Sequence, residues 1–200
     1  MLPWMSGLSR GLIEVYTGTG KGKTTAAFGL ALRALGWGLK VYVLQFMKLG
    51  TYGENRISPS LGENLRVDYA GMPYFIAWDD EIPAGDRDRV KNVLLCKRDS
   101  PPEEYIRKVS SAFSSMKEEL LSGRWDVVIL DEINVALYYK LISIKDVREL
   151  MDSKPEKVEL VFTGRNIPEE IISRANLVSE IREVKHPYSS GVPARRGIDF

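Results

Sequence analysis

Short apolar runs alternate along the chain with longer segments in which apolar residues recur at helical spacing. The runs span residues 12–16, 41–46, 65–69, 127–130, 158–162 and 177–181. Several of them are continuous rather than alternating, which is typical of strands that are buried on both faces of a sheet. The segments with helical spacing cover residues 23–35, 101–121, 144–151 and 168–175. Because strands alternate with helices, the pattern predicts an α/β fold with a mostly parallel central sheet.

The pattern is least regular between residues 50 and 88. This part contains three prolines and an aromatic cluster of Tyr74, Phe75 and Trp78. Long irregular segments in compact domains are usually functional or disordered, and aromatic residues argue against disorder. The basic stretch at residues 87–98 predicts a solvated helix face rather than the alternative, an anion site.

Length, composition and charge narrow the class of protein. The 200 residues are enough for one domain with a full core, so we predict a single domain over residues 1–200, with an N-terminal arm at residues 1–10 and a C-terminal tail at residues 185–200. A net charge of +1 gives no argument for nucleic acid or a membrane surface. The single cysteine, Cys96, excludes an internal disulfide and a cysteine cluster for zinc. Without a membrane-length apolar run or a signal-peptide pattern, we expect a cytoplasmic protein with no nucleic-acid or membrane partner.

A glycine-rich segment joins the first predicted strand to the first predicted helix. Glycines allow backbone N–H groups to turn toward an anion, and a helix that begins at Lys23 adds its N-terminal N–H groups and dipole. Lys23 supplies a point charge for phosphates, and Thr24 supplies a hydroxyl for Mg²⁺. The common P-loop pattern has glycine where this chain has Thr17, but the order of strand, loop and helix predicts a nucleotide phosphate site. The residues of this predicted site are Thr17, Gly18, Thr19, Gly20, Lys21, Gly22, Lys23, Thr24 and Thr25.

A second chemical element follows the apolar run at residues 127–130, which ends in Asp131 and Glu132. In P-loop proteins such a strand lies beside the P-loop strand and its carboxylate helps to hold Mg²⁺. The sequence therefore predicts a Mg²⁺ site formed by Thr24, Asp131 and Glu132. The alternative is a solvated acidic turn, which is common in α/β proteins.

Two further polar residues follow predicted strands. Arg165 comes after the run at residues 158–162, so it is expected at the same rim, where it would neutralise phosphate charge. The alternative is a solvated loop arginine. Asn134 either orients a substrate or caps the next helix.

Four blocks of sequence resemble the ATP:cob(I)alamin adenosyltransferases of the CobA/CobO/BtuR type. They read TGTGKGKTTAAFGLALRALGWGLKVYVLQFMK, WDVVILDEINVAL, TGRNIPEEII and LVSEIREVKHPYSSGVPARRGIDF, in this order along the chain. The resemblance implies a three-layer P-loop NTPase-like (RecA-like) fold. It also implies transfer of the 5′-deoxyadenosyl group of ATP to cobalt(I) of cobalamin or of cob(I)yrinic acid a,c-diamide, with release of triphosphate. Members commonly use Mg²⁺, an electron-donating reductase and a homodimeric assembly.

The resemblance also assigns roles to residues. It implies that Lys23, Thr24 and Glu132 are catalytic, and that Arg165 joins the glycine-rich segment in binding ATP. Phe75, Trp78 and Asn134 would bind the corrinoid, where family members use aromatic residues to displace the lower axial ligand of cobalt. The family commonly has one residue between the Phe and the Trp, whereas two residues separate Phe75 from Trp78 here.

Two other functions remain open on the sequence. A P-loop NTPase or nucleoside kinase would cleave the outer phosphates and release ADP or a nucleoside monophosphate. A non-catalytic module would sense a nucleotide or carry a corrinoid, and His186, the single histidine, is the candidate cobalt ligand for a carrier.

Overall fold

The computed structural model describes residues 7–83 and 92–200, with the side chains of residues 188 and 189 excepted. The strands are β1 (Ile13–Thr17), β2 (Val41–Phe46), β3 (Leu65–Ala70), β4 (Phe75–Trp78), β5 (Val93–Cys96), β6 (Val127–Asp131), β7 (Glu159–Thr163) and β8 (Leu177–Glu180). The helices are α1 (Lys23–Gly36), α2 (Gly53–Ile57), α3 (Glu103–Leu121), α4 (Ile133–Tyr138), α5 (Ile144–Ser153) and α6 (Glu169–Ile172). Turns of 3₁₀ helix occur in Ser58–Asn64 and Pro187–Ser190.

Six of the strands form one sheet in the order β3-β2-β6-β7-β1-β8, and every neighbouring pair is parallel. All six come from the apolar runs of the sequence, so the predicted α/β fold with a parallel central sheet is confirmed. Because parallel strands end at the same edge, the loops after β1, β2, β6 and β7 meet there.

Helices cover both faces of this sheet and give three layers. On one face, α1 presents Ala27 and Ala31 to strand residues such as Ile129. These alanines are at most 1% exposed, and their small side chains let the helix lie close to the strands. On the other face, α3, α4 and α5 bury larger residues against the alternate side chains of the same strands, for example Tyr105 and Leu130. Each central strand is therefore apolar on both sides, which explains the continuous runs.

A second, two-stranded parallel sheet pairs β4 with β5 and was not predicted. The helix predicted over residues 87–98 is wrong for residues 93–96, which form β5, and the earlier part of that stretch lies outside the described residues. The physical reason is the pairing of Val93–Cys96 with Phe75–Trp78, which satisfies the backbone groups along one edge of each segment. The pattern of charged residues alone therefore predicted a helix where residues 93–96 form a strand.

The position of β6 also differs from the expectation. It was predicted to lie beside the P-loop strand, but β7 lies between β6 and β1. The end of β6 is thus one strand further from the end of β1, and Thr163 at the end of β7, the strand between them, donates a hydrogen bond to the Asp131 carboxylate. In the part of the chain that is described, no helix combines the length and the apolar composition needed to cross a bilayer.

Candidate active site

The backbone of the P-loop explains why Thr17 can replace glycine. Thr17 is the last residue of β1 and is paired with Glu180 of β8, so it has the extended conformation of a strand. Positive φ begins at the next residue, with 99° at Gly18, and recurs with 119° at Gly22. A Cβ on Gly18 would lie 2.4 Å from the carbonyl oxygen of Ile181. The need for glycine therefore falls on Gly18 and Gly22 rather than on Thr17.

Lys23 points into the concave side of its own loop. Its ammonium donates hydrogen bonds of 2.8 Å to the carbonyl oxygens of Gly18 and Gly20, and the residue is only 6% exposed. Burial, and then the charge of Arg165, lower the pKa of Lys23. An anion in the loop would offset both effects, so the position favours binding of phosphate.

Asp131 is the centre of the polar network beside the P-loop. It is 0% exposed. One carboxylate oxygen, Oδ1, accepts hydrogen bonds from the hydroxyls of Thr24 at 2.9 Å and Thr163 at 2.6 Å. The other, Oδ2, accepts from Lys48 at 2.7 Å and Gln45 at 3.0 Å. The structure thus brings together Thr24 and Asp131, which lie 107 positions apart in the chain.

Lys48 was not identified from the sequence. It follows β2, and its Nζ lies 2.7 Å from Asp131 Oδ2, 3.2 Å from Thr24 Oγ1 and 3.8 Å from Glu54 Oε1. Burial opposes its charge, but the neighbouring carboxylates, Asp131 foremost, outweigh burial and raise the pKa of Lys48. The signal in the sequence was its place just after a buried strand, where the loops were expected to converge.

Glu132 has a strained but well supported position. Its φ is 62°, in the left-handed region, and its backbone N–H donates to Thr163 Oγ1 at 2.9 Å. Gly164 leaves room for it, since a Cβ there would lie 3.2 Å from Glu132 Oε2 and 3.0 Å from Asn134 Cβ. Burial, followed by the charge of Asp131, raises the pKa of Glu132. A cation near both carboxylates would offset that repulsion.

Asn134 and Arg165 occupy different environments. Asn134 is 0% exposed and donates a hydrogen bond to the carbonyl oxygen of Gly164 at 3.0 Å. It lines neither the cavity at the P-loop nor the smaller cavity beside it. Its contact fixes the loop after β7. Arg165, in that loop, is exposed and stands at the rim of the P-loop cavity, as the order of elements predicted.

The P-loop opens into a cavity of about 740 Å³. Its walls come from the P-loop, the segment around Lys48 and Glu54, Arg165 and the C-terminal tail. The tail reaches the loop through Lys21, whose ammonium donates to the carbonyl oxygen of Ile198 at 3.0 Å and pairs with Asp199. Of the nine predicted phosphate-site residues, those from Thr19 to Thr25 line this cavity.

A smaller cavity of about 280 Å³ adjoins it. The two share Lys48, Tyr52 and Glu132 as lining residues. Phe75 lines the smaller cavity and is 51% exposed. Trp78, in contrast, is 1% exposed and packs edge-on against Tyr139, with ring centroids 5.1 Å apart. The structure therefore separates the two aromatic residues that were predicted together. Successive side chains of a strand face opposite ways, and Phe75 and Trp78 are three positions apart in β4, so they lie on opposite faces.

The residues predicted to hold Mg²⁺ fit a divalent cation. The Lys48 ammonium already lies among oxygens of Thr24 and Asp131, so a positive charge is accepted there. Within residues 7–83 and 92–200, no three His, Cys, Asp or Glu side chains are grouped closely enough to hold a metal ion by themselves.

Comparisons with known proteins cover nearly the whole chain. A family model described as ATP:corrinoid adenosyltransferase BtuR/CobO/CobP matches residues 9–200. A protein of Escherichia coli named corrinoid adenosyltransferase is 34% identical over 193 residues, which are 96% of this chain and 86% of that protein. One of Sinorhizobium with the same name is 34% identical over 194 residues, 96% and 81% of the two chains. The corrinoid adenosyltransferase CobA of Salmonella typhimurium is 33% identical over 193 residues, 96% and 86%.

Proposed function

The chain belongs to the ATP:corrinoid adenosyltransferase family of the BtuR/CobO/CobP type, and from this membership we propose that it transfers the 5′-deoxyadenosyl group of ATP to the cobalt of a reduced corrinoid. The resemblance of the four sequence blocks is thereby confirmed. The observation that carries the proposal in the structure is the pair of adjoining cavities. One is built on a P-loop and the other is lined by several aromatic side chains, Phe75 among them, and Lys48, Tyr52 and Glu132 belong to both.

The reaction needs positioning and charge neutralisation more than it needs a protein nucleophile. Cobalt(I) of the corrinoid donates an electron pair to C5′ of the ribose, and a cobalt–carbon bond forms. The bond between C5′ and the phosphate oxygen breaks, and its electron pair leaves with triphosphate. Because the leaving group is a polyanion, positive groups that are already in place stabilise the transition state. Lys23 and Arg165 supply such charges at the P-loop cavity.

Thr24, Asp131 and Glu132 are the residues that would hold Mg²⁺. Mg²⁺ is usually bound by one or two carboxylates together with substrate phosphates. When bound, it supplies positive charge to the phosphate chain. Asp131 would act from a fully buried position, where Thr163 and Gln45 orient its two oxygens. Glu132 would hold the metal beside the phosphates, from the wall that both cavities share.

Phe75 is the aromatic residue that we assign to the corrinoid. We expect Phe75→Ala to slow the reaction of cob(II)alamin plus a reductant by about fivefold, since one aromatic contact contributes about 1 kcal/mol and 1.4 kcal/mol is a factor of ten. The reaction of chemically prepared cob(I)alamin should fall much less, because that substrate does not require displacement of the axial ligand. Rates with both substrates, followed spectrophotometrically under anaerobic conditions, measure the difference.

Two further variants separate contact with the corrinoid from loss of structure. Trp37 is 59% exposed and lies just beyond the end of α1 that is opposite the P-loop, so Trp37→Ala should leave both rates unchanged. Trp78→Ala removes a core side chain and should lower stability by about 3–5 kcal/mol. Equal losses with the two corrinoid substrates in Phe75→Ala would contradict the assignment.

The products of a single reaction test the proposed function directly. Protein, ATP and Mg²⁺ are mixed anaerobically with chemically reduced cob(I)alamin. We expect a light-sensitive cobalt–carbon bond in the absorption spectrum and an equal amount of triphosphate by phosphorus NMR. ADP and phosphate without a change in the corrinoid would instead indicate an NTPase or kinase. Bound ATP without turnover would indicate a sensing or carrier module.

The remaining expectations from the family and from the sequence belong to this proposal. A homodimer, an electron-donating reductase and a cytoplasmic location stay predictions, and either cobalamin or cob(I)yrinic acid a,c-diamide fits the proposed chemistry. Sedimentation and a comparison of rates with the two corrinoids would test the assembly and the substrate.

A further inference from the structure

Lys48 occupies the position where the site would hold a metal. Its ammonium lies 2.7 Å from Asp131 Oδ2 and 3.2 Å from Thr24 Oγ1. These are two of the groups assigned above to Mg²⁺. An ammonium and a divalent cation that contact the same oxygens repel each other, so each weakens the binding of the other there.

We propose that Lys48 is a mobile cation that competes with Mg²⁺ for Asp131 and Thr24 and moves to the triphosphate of ATP when the metal enters. The proposal deepens the proposed function and rests on it, since it requires Mg²⁺ and a triphosphate in this site. It assigns to Lys48 a direct contact with the leaving group, and so a catalytic role that the glycine-rich motif does not contain.

The surroundings of Lys48 provide a path for this movement. Its side chain is 11% exposed and forms part of the wall of both cavities. The centroid of the Tyr52 ring lies 4.8 Å from the ammonium, so the ring offers the charge a cation–π contact in addition to the carboxylates. A lysine side chain has four rotatable methylene groups, so its charge can shift by several ångströms without backbone movement.

Lys23 is not equivalent to Lys48. Lys23 is bound to two carbonyl oxygens of its own loop and touches neither carboxylate oxygen of Asp131. Lys48 is bound to the carboxylate itself. Binding of the metal would therefore release one positive charge, that of Lys48, next to the phosphates. This exchange couples the metal to the charge that stabilises the departing triphosphate.

The test is binding of Mg²⁺ alone, measured by calorimetry on full-length protein without nucleotide. Lys48→Met removes the competing charge and keeps an unbranched side chain. We expect Mg²⁺ to bind at least about tenfold more tightly to this variant than to the wild type. A lysine that served only to stabilise the fold would give unchanged or weaker metal binding. The matched control is Lys108→Met, an exposed lysine on α3, which should bind Mg²⁺ as the wild type does.

The second measurement uses inorganic tripolyphosphate together with Mg²⁺. Here Lys48→Met should bind at least about tenfold more weakly than the wild type, so the same substitution acts in opposite directions on the two ligands. Lys48→Arg keeps the charge and serves if the methionine variant does not fold. We expect it to bind Mg²⁺ alone within about threefold of the wild type, as a retained competitor would, and tighter binding by tenfold would overturn the proposal.

The outcomes separate this inference from the proposed function. The inference alone is overturned if the wild type makes adenosylated corrinoid but Lys48→Met binds Mg²⁺ no more tightly than the wild type. Unchanged binding of Mg²⁺ and tripolyphosphate in Lys48→Met overturns it as well. A wild-type protein that forms no adenosylated corrinoid in the product assay overturns the proposed function and, with it, the inference.

Discussion

Substitution of Lys23 by alanine is expected to lower the turnover of ATP and cob(I)alamin about 10²–10³-fold, the usual cost of removing one preorganised group from a site where charge develops. The ammonium of Lys23 lies inside the P-loop, 2.8 Å from the carbonyl oxygens of Gly18 and Gly20. Alanine leaves those carbonyl oxygens facing the phosphates without a cation between them. Steady-state rates, together with binding of tripolyphosphate and Mg²⁺, measure the loss.

The control for Lys23→Ala has to distinguish lost charge from a damaged loop. Lys108→Ala removes an exposed lysine from α3 and should be as active as the wild type. The melting temperature of Lys23→Ala shows whether the loop still folds, because its hydrogen bonds to the loop are part of the structure. Normal activity in Lys23→Ala would rule out the assignment of residues 17–25 as the triphosphate site.

Much of the fold was predictable because its strands are buried on both faces. Val41–Phe46 is apolar at five of six positions and buried at all six, so the apolar run in the sequence correctly predicts a buried strand. The pairing of Phe75–Trp78 with Val93–Cys96 was not predictable in this way. Each of these strands has only four residues, and their stability depends on a partner that is distant in the chain.

In the site, too, the residues of one local motif were predictable from the sequence, whereas two of the residues brought together by the sheet were not. Gly22, Lys23 and Thr24 belong to one continuous motif whose geometry follows from a strand, a turn and a helix. Lys48 and Thr163 stand at the ends of two of the quoted sequence blocks, but no role was assigned to them there. They reach Asp131 only because β2 and β7 flank β6 in the sheet. The strand order depends on tertiary packing. It also places β7 between β6 and β1, where the sequence analysis expected no intervening strand.

The contacts of Asp131 lead to the second large effect, which is on stability as well as on activity. Asp131→Asn keeps the size of the side chain but leaves the Lys48 ammonium buried without its closest counter-charge. Removal of one partner of a buried ion pair costs about 3 kcal/mol. At about 2–4 °C per kcal/mol for a chain of this length, the melting temperature should fall by about 6–12 °C. Turnover should fall at least about 100-fold, since a proposed metal ligand is lost.

A double variant separates these two losses. Adding Lys48→Met to Asp131→Asn removes the uncompensated charge, so most of the lost stability should return, whereas activity should stay low because both proposed phosphate-site groups are absent. Replacement of a buried ion pair by uncharged side chains is often neutral for stability. Thermal melts and rates of the wild type, the two single variants and the double variant form a complete cycle. If the melting temperature of the double variant falls by the sum of the two single effects, Asp131 and Lys48 do not stabilise each other as an ion pair. If it recovers together with activity, neither Asp131 nor Lys48 has a role in the reaction.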